Sequence, residues 1–395
     1  MTKLTNWQKN IWVFKWNSVF NWYQAFVGVY VLIWTQYLNF TQMSLIYAIS
    51  LIVGTALELP SGALADLIGR KKTIILGRII NILAYLTFAF ANNFPLFLIG
   101  QILYQMNWVL ESGAQSALLY DSLKENSKAK KYYKKTETDT FFLCTVGMMV
   151  GTGMSGFLYK FGNSSPYLAC VLTSIISLII ALRFEEPSLD SEKFTFKNYL
   201  RQNIEGTKHI FENTKIRAIT FFSLIITFIT YAGIWYIYEP RLAEGGFNAK
   251  YMGLLVAGTY FMRAIGIKLI PVLDKHLKGR SIPYFLVIFQ SFGSFLSFIP
   301  GKFGAISSVY SRKFLDGFRN PILNTLQNQN IVSKYRATSL SAVALITNLF
   351  LALAGPGIGY LMDHYSVSIT LGIFGFVGLL LGVPLAFNLS KNIEN

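Results

Sequence analysis

Charge is what this chain has least of. Only 14% of its 395 residues are Asp, Glu, Lys or Arg, against roughly a quarter in soluble domains. There are two cysteines, Cys144 and Cys170, expected early in consecutive apolar spans of opposite direction and so at different depths; a disulfide framework is excluded. The three histidines, His209, His276 and His364, fall in loops or at span ends. No intramembrane metal site can be assembled from them, and no cofactor is implied. The chain also lacks a Gly-x-Ser-x-Gly elbow and a Gly-x-x-x-x-Gly-Lys-Ser/Thr phosphate loop, which argues against serine-elbow hydrolysis and direct use of ATP, so no enzyme is expected.

Acidic residues are the scarcer charge, 19 against 35 basic, for a formal net charge of +16. A nucleic-acid partner would need that charge gathered on the face of a soluble domain. Instead, 53% of the residues are hydrophobic, and apolar stretches of about 20 residues recur along the whole chain, each long enough to cross a bilayer core as a helix. Twelve spans are expected, near residues 11–37, 43–65, 73–92, 95–119, 140–160, 164–183, 216–239, 250–272, 281–299, 303–328, 337–362 and 366–388. The first is too long for a cleavable signal peptide and carries Trp12, Trp16, Trp22 and Trp34.

Alternate connections are short, and the others hold the charged loops. Most basic residues fall on the second side, while Lys160, Arg241, Lys250 and Lys302 fall on the first. The positive-inside rule then sets a multi-pass protein in the cell membrane with both termini cytoplasmic. The longest loop, residues 184–215, separates six spans in 1–183 from six in 216–395. Within it Phe196, Tyr199, Leu200, Ile204, Thr207, Ile210 and Phe211 follow helical spacing, as a surface helix or a plain connector would allow. The halves look like copies: a shift of 208 residues carries Asp66 onto Asp274 and Glu111 onto Arg319. The fold class expected is all-α integral membrane, with twelve transmembrane helices in two pseudo-symmetric six-helix bundles and a solute site near the midplane between them.

One cluster interrupts the apolar pattern between spans 2 and 3, the stretch SGALADLIGRKK at residues 61–72. Glycine there allows a tight reversal. Asp66 is expected to accept hydrogen bonds from a helix N-terminus, and Arg70, Lys71 and Lys72 to meet anionic headgroups. Gly62, Asp66, Gly69, Arg70 and Lys71 resemble the loop signature of the major facilitator superfamily, Gly-x-x-x-Asp-Arg-x-Gly-Arg-Arg/Lys. The stretches at 58–66, 111–123 and 335–341 are similar to one bacterial branch of permeases and efflux proteins. The resemblance implies a secondary transporter of a small or amphipathic solute, anionic solutes included, working as a monomer in the bilayer by alternating access. It implies a cytoplasmic latch at the loop, and proton-coupled efflux is among the modes of such proteins. Leu67 stands where the family has arginine, Gln101 appears at its fourth-span arginine, and the fifth span has Gly147, Gly151, Gly153 and Gly156 without the antiporter proline; a Gly355-Pro356 pair occurs in the eleventh. A lipid or lysolipid flippase and a non-transporting sensor on the same scaffold stay open as alternatives.

The family's outer helices are spans 3, 6, 9 and 12, read here as free of interior charge. Charges inside the others mark functional candidates, because an ionised group at mid-bilayer costs on the order of 3 kcal/mol. Glu111, Arg263, Arg312, Asp316 and Arg319 are the candidates for solute or coupling ion, with Glu58, Lys15 and Trp235 behind them. Arg312, Asp316 and Arg319 share one helix face. They either neutralise one another, Asp316 with Arg312, or leave a free cation for an anionic group. Glu111 has no opposite charge near it in its own helix and suits proton coupling. Trp235, Tyr236 and Tyr238, with Trp22, Tyr23 and Trp108, read as an interfacial belt or a gate.

Overall fold

The computed structural model describes residues 6–124, 129–186, 214–277, 279–330 and 333–392. The candidate surface helix at 196–211 lies outside them. Each expected span is helical: α1 Asn6–Asn21 with α2 Tyr30–Trp34, then α3 Phe40–Ile68, α4 Arg70–Phe90, α5 Phe94–Lys124, α6 Ala129–Leu158 and α7 Ser165–Ala181. After the central segment come α8 Thr214–Ala232, a wide π-turn at Gly233–Ile237, α9 Tyr238–Glu244, α10 Ala249–His276, α11 Ile282–Phe295, α12 Gly301–Asn330, α13 Ser333–His364 and α14 Val367–Asn392. Among the described residues, seven helical segments are long and apolar enough to cross a membrane, and two shorter helices are apolar. Helix α12 is not among them, because Arg312, Lys313, Asp316, Arg319, Asn320, Asn324 and Gln327 fill it with polar groups.

The described residues group into two compact units. The first takes in those of 1–38, 49–196 and 249–257, the second those of 39–48, 197–248 and 258–395. Val13, Ile74, Leu118, Leu119 and Phe184 centre a core in the first, and Phe222, Leu286, Leu315, Ala386 and Leu389 one in the second. Against lipid, helix packing gains little from apolar burial itself and relies on close contact and polar links between helices. Gly266 of α10 and Gly317 of α12 supply such a contact, where a side chain on Gly317 would run into the Arg263 carbonyl and the Gly266 backbone.

The first span departs from the expected single helix. Between α1 and α2 the chain turns through residues 22–29, although nothing in this apolar run breaks helical periodicity before Gly28. The neighbours explain it. The freed Ala25 N–H donates to Cys170 Sγ at 3.2 Å, and Thr152 Oγ1 donates to the Gln24 carbonyl at 3.5 Å. Gly151 lets α6 come up to the bared Gln24 backbone; a Cβ there would lie 2.7 Å from the Gln24 nitrogen. Every opened backbone group inside a bilayer must find such a partner. In the second unit, the π-turn at Gly233–Ile237 interrupts the seventh span. A shift of 208 residues lays 22–29 over 230–237, so both halves interrupt their first span at matching positions.

Candidate functional site

The loop between α3 and α4 holds the signature residues. Gly62 and Asp66 belong to α3, and the Asp66 side chain lies outside the described ones. Gly69 turns the chain with φ +98°, a left-handed conformation that favours glycine. The carboxylate meeting the α4 N-terminus is Glu186: it accepts the Arg70 N–H at 2.7 Å and the Lys71 N–H at 2.9 Å. This is the capping role expected of Asp66, supplied from beyond α7, where two unpaired amides and the helix dipole favour a negative group. Arg70 does not turn to headgroups. Its guanidinium pairs with Asp121 and donates to the Ala117 carbonyl at 2.9 Å. Next door, Asn10 donates to Ser122 and to the Glu185 carbonyl, and Lys9 pairs with Glu185. That hydrogen bond holds the Glu185 carboxyl below its ordinary pKa, so the contact is complete at neutral pH and is lost as pH falls through the lowered value. Glu186→Ala is expected to cost about 1 kcal/mol through the lost cap, seen as faster amide exchange at Arg70 and Lys71 than in the wild type.

The second cluster lies in the core of the first unit. Arg78 of α4 is fully buried and pairs with Glu111 of α5. Arg78 also donates to Asn17 Oδ1 at 2.7 Å, and Asn21 donates to the other Glu111 oxygen at 2.9 Å. With its amide oriented to satisfy both contacts, Asn107 donates to Glu111 at 2.7 Å and to the Gly77 carbonyl at 2.9 Å. The third span is therefore not free of interior charge, and Glu111 has an ionic partner on the neighbouring helix. Lys15 pairs with Asp139 of α6 at 2.6 Å. Glu58 of α3 is exposed.

The third cluster gathers on α12 in the second unit. Asp316 is shared: one oxygen lies 2.9 Å from Arg319 and the other 3.1 Å from Arg263 Nε. The Gly266–Gly317 crossing brings Arg263 within reach. Arg312 does not neutralise Asp316. It is 1% exposed and donates to Tyr238 Oη at 2.8 Å, to the Ile229 carbonyl at 2.9 Å, and to Ser294. Lys313 lies 5.5 Å from the ring centres of Tyr238 and Tyr260 and is electrostatically coupled to buried Glu239. Around α12, four cations (Arg263, Arg312, Lys313, Arg319) thus face two carboxylates (Glu239, Asp316). Arg263 is the accessible one, its side chain 35% exposed.

Below Arg319 the same helix face continues as Asn320, Asn324 and Gln327. With Thr227 and Tyr231 of α8 and Thr347 and Asn348 of α13, they line a cavity of about 250 Å³ that Arg319 also borders. Arg319 donates to Thr227 at 2.9 Å and sits 5.0 Å from the Tyr231 ring centre. Trp235, in the π-turn, packs edge-on to Tyr47. Tyr236 and Tyr238 are buried, and Tyr236 donates to the Leu351 carbonyl at 3.0 Å. Both hydroxyls are thus engaged inside the second unit, Tyr238 by Arg312.

Residues 17–131 match the sequence pattern of the Major Facilitator Superfamily. The MFS-type transporter YxaM of Bacillus subtilis is 23% identical over 372 residues, covering 91% of this chain and 90% of its own. Multidrug resistance protein 2 of the same organism is 24% identical, covering 99% of this chain and 98% of its own. A crystal structure of a mutant of the nucleoside transporter NupG superposes with a TM-score of 0.76 at 13% identity, over 98% of this chain and 99% of that one. The chain thus carries the Major Facilitator Superfamily pattern over residues 17–131 and resembles transporters of that type over nearly its whole length.

Within this fold, the three clusters hold residues that no motif in the sequence marks. Arg78 stands near the start of an otherwise apolar span, and nothing in that span points to Glu111 as its partner. The amide wall left a visible signal, since Asp316, Asn320, Asn324 and Gln327 repeat at four, four and three residues along one helix face. Glu186 and Asp121 left none, for nothing local ties them to Gly69 and Arg70.

Proposed function

We propose that the chain is a secondary transporter that moves a small polar solute bearing an anionic group across the cell membrane by alternating access. The observation that carries this reading is the excess of cations around α12, with Arg263 accessible beside them. Unmatched positive charge in a low-dielectric region is costly, and an incoming anion relieves it. A guanidinium fork suits a carboxylate or phosphate. A lipid flippase is less well supported, because a cavity of about 250 Å³ is small for an acyl chain and its headgroup. The name of the multidrug-resistance relative supports export as the direction, and a proton gradient is the driving force to test first.

The experiment is flux in proteoliposomes with an imposed proton gradient, over a panel of small organic anions and in both orientations. Arg263→Ala is expected to lower flux at least tenfold with normal membrane insertion, because Asp316 keeps Arg319 as a partner. If folded protein moves no solute under any gradient, the proposal fails.

A further inference from the structure

The cavity below Arg319 carries information that the charge excess does not. Among the described residues, its wall has seven uncharged hydrogen-bonding side chains, from Thr227, Tyr231, Asn320, Asn324, Gln327, Thr347 and Asn348, beside the apolar Leu323, Val343 and Ala344, and no carboxylate. The amides each offer both donors and an acceptor, the combination that matches a hydroxyl, itself both donor and acceptor. An acid with an apolar body would cover the half-buried Asn320 and Asn348 without replacing the hydrogen bonds that they make to water. A neutral polyol would satisfy the wall but leave the positive charge unmatched. The volume of about 250 Å³ equals the share of roughly eight waters in the liquid, suited to a single ring and small for a lipid or a peptide. The charged end and the hydroxyl-reading wall meet at one residue, since Arg319 borders the cavity and shares Asp316 with Arg263.

We propose that the solute of the α12 site is a small hydroxyl-rich organic anion of the sugar-acid class, its hydroxyls held by the amide wall and its negative group by the Arg319–Arg263 end. This rests on the transporter reading above and narrows it to a substrate class.

The test compares three probes on the detergent-purified full chain, each read as binding affinity by calorimetry. D-Glucuronate has both a carboxylate and hydroxyls, D-glucose has the hydroxyls without the acid, and cyclohexanecarboxylate has the acid on a ring without hydroxyls. Glucuronate is expected to bind at least roughly tenfold more tightly than either, since a site built to pair hydroxyls rejects an analogue that lacks them. Asn324→Leu and Asn348→Leu should each weaken glucuronate and leave cyclohexanecarboxylate unchanged; Arg263→Gln should weaken glucuronate and leave glucose unchanged. Equal affinity for glucuronate and either comparison compound overturns the class. That comparison uses the wild type alone, so misfolding of a variant does not shield the proposal. If none of the three binds while another solute is carried in proteoliposomes, the substrate class is wrong and transport stands. If nothing is carried at all, the transporter reading falls and the class with it.

Discussion

Glu111→Leu is expected to destabilise the protein by about 3–5 kcal/mol, the usual result of removing one member of a buried ion pair. The loss has two parts. Arg78, fully buried, keeps its charge without a carboxylate beside it, and Asn21 and Asn107 lose the acceptor they share. The apparent Tm in detergent should fall by at least about 5 °C, given the few degrees that each kcal/mol moves in a large domain. A second substitution separates these parts. Arg78→Met combined with Glu111→Leu removes both charges, and apolar replacement of a whole buried pair is often neutral, so the double variant should recover more than half of the lost stability. The coupling energy of the cycle then measures the pair. Recovery of stability without recovery of flux would assign Glu111 a part in transport as well as in packing; recovery of both would make it a structural group.

The parts of this molecule that were legible in the sequence are those set by local pattern. An apolar run of helical length in a bilayer has little choice but to be a helix, and the twelve spans followed from that. The pairing of Asp316 with Arg319 is also local, a three-residue spacing on one helix face. Its pairing with Arg263 depends on Gly266 meeting Gly317, a crossing between helices that no spacing within either one announces. The loop signature shows the same division. That a carboxylate should meet the α4 N-terminus follows from the helix dipole, but Glu186 lies 116 residues beyond Arg70, and only the packing of the first unit selects it. The break at residues 22–29 is harder still. It exists because Cys170, Thr152 and Gly151 accept the opened backbone, and the run itself reads as uninterrupted helix. The interruption in each half falls at corresponding positions, and the cavity of the second unit borders the same seventh span through Thr227 and Tyr231.

Asp316→Ala is the other change with a large expected effect. Asp316 is the carboxylate shared by Arg263 and Arg319, and without it the excess of positive charge around α12 rises from two to three. Arg319, 1% exposed, would hold its charge against Thr227 and the Tyr231 ring alone, for a cost of about 3–5 kcal/mol. Asp316→Asn should lose nearly as much despite its similar shape, because charge and not volume is what Arg319 requires. Arg263→Ala added to Asp316→Ala returns the excess to two and should restore part of the stability, and the two readings of the cluster then separate. If the charges only hold α10 against α12, flux should return in step with the apparent Tm. If Arg263 receives the anionic group of the solute, the double variant should regain Tm and remain at least tenfold below wild-type flux, whatever the expression level.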